Sequence, residues 1–140
     1  MPHITIEYSA NVADHHDIDA LVAAVHDAAL DHGLPPADGL RTRAARRDDY
    51  RVADGDPDFA FVAIAVRIAP GRDADRKAEF IETLLNAAEA HTDAEAAATG
   101  SPLAIMWSIE LSEIDPFFRI NRNHVRTRIN DRTTNRGDTA

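Results

Sequence analysis

Residues 59–68 read FAFVAIAVRI, an almost unbroken apolar run of about ten positions. Such a run predicts a central strand covered on both faces. Downstream, Pro70-Gly71 ends the run and Asp73 is placed to cap a helix whose apolar stripe is Ala78, Ile81, Leu84, Leu85 and Ala88, continuing to about Ala98. Gly100-Ser101-Pro102 resets the chain. Residues 103–114 then read as a further strand, with Leu103, Ile105, Trp107, Ile109 and Leu111 on one face.

Upstream of the run, Asp54-Gly55-Asp56-Pro57 is a turn. Before it, GLRTRAARRDDY (39–50) alternates Leu40, Thr42 and Ala44 with Arg41, Arg43 and Ala45, the pattern of a strand with a polar face. Ile18, Leu21, Val22, Val25 and Ala29 recur at helical spacing, with Asp14 or Asp17 as N-cap and Gly33 and Pro35-Pro36 as the stop. Residues 10–13 read as a short polar connection. From His3 to Ser9, Ile4, Ile6 and Tyr8 alternate with polar residues, which is a half-buried strand starting almost at the first residue.

The order is strand, helix, strand, twice over. We expect an α+β fold: a duplicated β-α-β unit in halves of about 1–56 and 57–118, whose right-handed crossovers place both helices on one face of a four-stranded sheet. The halves share no evident residue identity, so the repeat is architectural. The opposite face, including Phe59, Phe61 and the Met106 side of the last strand, then needs cover from a partner subunit. Residues 119–140 form a separate basic segment. From Phe117 onward there are six Arg and two Asp, a sum of +4 against −13 for residues 1–118, so the tail can dock on a neighbouring subunit. The last stretch, NDRTTNRGDTA, is expected to be disordered.

With 140 residues, a net charge of −9 and 44% hydrophobic content, the chain suits one domain with a real core. No apolar stretch is long enough for a membrane span, and the start MPHITIEYSAN lacks the basic head and apolar run of a signal peptide, so a cytoplasmic protein is expected. The absence of cysteine removes thiolate metal sites and cysteine nucleophiles. Seven histidines show no HxH or HExxH spacing, and there is no phosphate-cradling glycine loop, so no metal, cofactor or nucleic acid is expected as a partner. Arg outnumbers Lys fourteen to one, and a guanidinium fork suits planar anions better than an ammonium does.

Pro2 is the first candidate for chemistry. Removal of Met1 would leave a secondary amine at the very start of a strand, and apolar or cationic surroundings would lower its pKa toward neutrality, making it a base. Arg41 and Arg43 share one strand face, and Arg72 opens the second helix, where it adds to the positive end of the helix dipole. Those three arginines are the candidate carboxylate binders. Glu7 and Glu110 lie on strands and could orient an amine or an Arg.

PHITIEYSAN, GLRTRA, VADGD, FAFVAIAV followed by GRD, and WSIELSEIDP together resemble the 5-carboxymethyl-2-hydroxymuconate Δ-isomerase family of the tautomerase superfamily, nearly in register over residues 2–116. The resemblance implies a tautomerase-like trimer of duplicated β-α-β subunits, with an active site at each amino-terminal proline. It further implies cofactor-free double-bond migration in a tricarboxylate ring-cleavage product of homoprotocatechuate. Pro2 then corresponds to the catalytic proline, and Arg41, Arg43 and Arg72 to positions that could hold substrate carboxylates. Ala63 stands where members commonly have His. Two alternatives remain open: another amino-terminal-proline enzyme (a phenylpyruvate-type tautomerase, hydratase or decarboxylase), or a noncatalytic trimeric carboxylate-binding protein.

Overall fold

The computed structural model describes the backbone of residues 2–138 and side chains through residue 134. The elements run β1 (His3–Ser9), α1 (Asn11–His15), α2 (Ile18–His32), a 3-10 turn (Ala37–Gly39), β2 (Arg41–Arg47), β3 (Phe59–Ile68), α3 (Ala74–Thr99), β4 (Ala104–Glu113), a second 3-10 turn (Pro116–Phe118) and α4 (His124–Asp138). The strands form one sheet in the order β2-β1-β3-β4. β1 is parallel to β2 and β3 is parallel to β4, while β1 and β3 meet antiparallel at the centre. Each half is thus a β-α-β unit, and the two halves join along their first strands.

Both long helices are built by the signals the sequence carries. Asp17 accepts a hydrogen bond from the Ala20 N–H at 3.1 Å, and Asp73 accepts one from Arg76 N–H at 2.8 Å, each satisfying a donor that a helix start leaves unpaired. Gly33 (φ 78°) and Gly100 (φ 72°) close the two helices in the left-handed conformation that a side chain disfavours. α2 buries Leu21, Val25 and Ala29, and α3 buries Phe80, Leu84, Ala88 and Thr92. These stripes pack on Ile4 and Ile6 of β1 and on Val62, Ile64 and Val66 of β3.

Four details differ from the sequence pattern. β3 is not covered on both faces: Ala60, Val62, Ile64, Val66 and Ile68 are buried, whereas Ala65 and Arg67 on the other face are exposed. The cause is that both crossover helices lie on one side, leaving an open sheet face in the single chain. On α3 the buried line runs through Phe80 at spacings of four, so Ala78 faces water. The polar connection after β1 is the short helix α1; its first residue, Asn11, donates to the carbonyls of Pro57 and Phe59 at 3.3 and 2.9 Å, tying the first half to the start of the second. Finally, the end of the chain is helical to Asp138, because Asn123 caps α4 by accepting from the Arg126 N–H at 2.9 Å; residues 139 and 140 lie outside the described residues.

Candidate active site

Alternation along β1 sends Ile4, Ile6 and Tyr8 to the helices and His3, Thr5 and Glu7 to the open face. Register then decides which side chains join them. His3 lies opposite Arg41 on β2 and Arg67 on β3, and Thr5 lies opposite Arg43. At this end of the sheet, three arginines and a histidine share one face. Pro2 sits directly before this row and is buried; its carbonyl accepts the Arg41 N–H at 3.2 Å, which fixes the residue to the sheet.

The Arg43 guanidinium lies 3.3 Å from Nδ1 of His3. Arginine has only donors, so Nδ1 is the acceptor and the ring hydrogen is on Nε2. Burial, then Arg41, Arg43, Arg67 and the chain's amino terminus, hold the His3 pKa below its ordinary value. The row is therefore a region of positive potential in which an added proton is disfavoured and an anion is favoured. The Arg41 Nε–H also donates to the Gly39 carbonyl at 3.3 Å, orienting its stem.

Of the residues picked from sequence, Pro2, Arg41 and Arg43 come together. Arg72 lies at the same end of the sheet but is turned toward the backbone: its Nη2 donates to the Leu34 carbonyl at 3.2 Å and its Nη1 to that of Ala69 at 3.5 Å. It braces the turn after β3 against the end of α2. Glu7 pairs with Arg47 at 2.7 Å, farther along the sheet. A depression of about 290 Å³ between Glu7 and Glu110, floored by Ala63 and Ala65, is lined among the described residues by two carboxylates and no cation, so it is poorly suited to an anion.

Sequence reading missed two members of the row. Arg67 is embedded in an apolar run, and only the antiparallel register with β1 brings it beside His3. His3 read as one more polar residue on a strand. A second missed feature is a clasp in the terminal segment. Asn123 donates to the Asp38 carbonyl at 2.9 Å, and Arg126 places Nε and Nη2 on the Asp38 carboxylate at 2.9 and 3.2 Å. The tail thus engages its own chain at the Ala37–Gly39 turn, enclosing with it a groove of about 340 Å³ that also reaches Arg41. Among the described residues no group of three or more His, Asp or Glu is placed to hold a metal ion, and no helix is long and apolar enough to cross a membrane.

Known proteins resemble this chain over most of its length. A family model described as 5-carboxymethyl-2-hydroxymuconate isomerase matches residues 2–129. The chain is 30% identical over 125 residues to the 5-carboxymethyl-2-hydroxymuconate Delta-isomerase of Escherichia coli, covering 89% of this chain and 96% of that protein. The crystal structure of a 5-carboxymethyl-2-hydroxymuconate isomerase from Deinococcus radiodurans R1 is 29% identical and superposes with a TM-score of 0.73 over 91% of this chain and 93% of its own. A second solved 5-carboxymethyl-2-hydroxymuconate delta-isomerase, 23% identical, shares the fold at a TM-score of 0.79 over 92% of this chain and 93% of its own.

Proposed function

The chain belongs to the 5-carboxymethyl-2-hydroxymuconate isomerase family, and from that premise we propose a cofactor-independent isomerase of homoprotocatechuate breakdown in which Pro2 shuttles one proton. Once Met1 is removed, the neutral Pro2 nitrogen takes a proton from the dienol substrate, and the prolinium returns it to a carbon two positions farther along. The double bond moves and the base is regenerated, so no oxidant or reductant is required. One base serving two carbons demands a substrate held rigidly and a stabilised enolate-like charge.

The observation that carries this reading is the placement of Pro2 beside the row His3, Arg41 and Arg67, with Arg43 behind His3. Arg41 and Arg43 hold carboxylates of a multi-carboxylate substrate, and Arg72 supports the same end of the sheet with its remaining N–H groups available to a third. The positive field that binds the substrate also disfavours the prolinium, keeping the amine a base near neutral pH. The working form is a cytoplasmic homotrimer, whose neighbouring chains cover the open sheet face.

Pro2→Ala, or a chain that retains Met1 by intact mass, is expected to lose at least about 100-fold in kcat, followed by ultraviolet absorbance of the dienol, since general base catalysis supplies gains of that order. An unchanged kcat in either would overturn the mechanism. Arg41→Ala is expected chiefly to raise KM.

A further inference from the structure

We propose that the groove between the Ala37–Gly39 turn and residues 121–125 seats one carboxylate arm of the ligand, with Arg122 as its binding residue and Asp38 as the latch that positions it. The proposal rests on the Pro2 end being a polycarboxylate site, and it assigns that site a wall the sheet itself does not provide. The groove begins where the row ends: Arg41 belongs to both, and its backbone N–H is bonded to the Pro2 carbonyl.

Charge in the groove is decided by one pairing. Among the described residues that line it, Asp38 is the only acid, and both its carboxylate oxygens are engaged by the Arg126 fork. Arg126 therefore neutralises Asp38, so that Asp38 does not offset the positive charge of Arg122 in the groove. Among the described residues the Arg122 guanidinium has no hydrogen-bond or ion-pair partner, although its neighbour Asn123 is fixed at both ends, on the Asp38 carbonyl and on the Arg126 N–H. A guanidinium that follows a 3-10 turn, precedes a side chain held at both ends and lies in one groove with a second arginine is suited to receive a carboxylate in bidentate geometry. At about 340 Å³ the groove has ample room for a carboxylate arm.

Calorimetric titration with tricarballylate, an inert tricarboxylate, against glutarate and inorganic phosphate tests the assignment. Arg122→Ala is expected to weaken tricarballylate about tenfold, the loss of a charged hydrogen-bonded contact, while glutarate and phosphate are unchanged. Arg132→Ala, which removes the same charge from elsewhere on α4, should leave all three unchanged. Asp38→Ala should also weaken tricarballylate and raise KM with kcat held, and the charge swap Asp38→Arg with Arg126→Asp should restore both. Equal losses for all three anions in Arg122→Ala, no loss at all, or a wild-type chain that does not bind tricarballylate would overturn the proposal. Binding is read without turnover, so a chain that binds in this way yet isomerises nothing would count against the Pro2 mechanism and leave the groove standing.

Discussion

At the scale of single residues, His3 reports on the field around Pro2. Burial is the largest cause of its lowered pKa, and the guanidinium groups of Arg41 and Arg43 from β2 and Arg67 from β3 add to it. The neutral ring is favoured in the fold, so the unfolded chain takes up the proton first as pH falls. Stability contributed by His3 is therefore complete above a pH of about 6.5 and is lost progressively on acidification below it. A nuclear magnetic resonance titration of the His3 ring should give a midpoint below that of an unperturbed histidine. Arg43→Ala should raise the midpoint only part of the way, because burial is the largest cause. A midpoint at or above the ordinary value would contradict the reading. Arg72 makes a different kind of contribution: Arg72→Ala strands two part-buried carbonyls, at Leu34 and Ala69, and should cost about 1–2 kcal/mol of unfolding free energy in urea. An unaltered midpoint would remove the bracing role.

At the scale of elements, α3 shows what periodicity does and does not settle. The sequence stripe through Leu84 and Ala88 identifies the helix and its caps, yet assigns Ala78 to the core when the buried residue is Phe80, set edge-on to His32 at a ring separation of 5.2 Å. A helix of 26 residues offers two adjacent stripes, and only the crossing with α2 chooses between them. Phe80→Ala should cost about 3–5 kcal/mol and Ala78→Ser less than about 0.5 kcal/mol, compared by urea unfolding at one protein concentration. Equal costs would restore the stripe through Ala78. The strands were legible because β1 and β2 alternate cleanly, and the grouping of Pro2 with Arg41 and Arg43 was legible because Pro2 leads directly into β1 and the two arginines share one face of β2. Arg67 was hidden since its membership of the row depends on an antiparallel register. The Asp38–Arg126 pair was hidden because its partners are 88 positions apart. Local patterns specify faces; which faces meet is a property of the assembled sheet.

For the whole molecule, the open sheet face and the terminal segment pose one problem. Phe117, Phe118 and Ile120 are 88%, 90% and 83% exposed, and Met106 on the open face is 60% exposed. Three large apolar side chains within four residues, almost wholly in water, are unfavourable for an isolated chain and favour burial against another copy. Charge points the same way, since residues 1–118 carry −13 and the segment beyond carries +4. Burying the Phe117–Ile120 cluster against neighbours would also shield the arginine row from solvent, strengthening its field at Pro2. Sedimentation should accordingly give a native mass three times the 15.3 kDa of the chain. Replacing both Phe117 and Phe118 by Asp should shift the mass to that of one chain and remove most of the isomerase activity, with helical content by circular dichroism retained. A wild-type chain sedimenting at 15.3 kDa, or a double variant that keeps both mass and activity, would show that the cluster does not hold the assembly together.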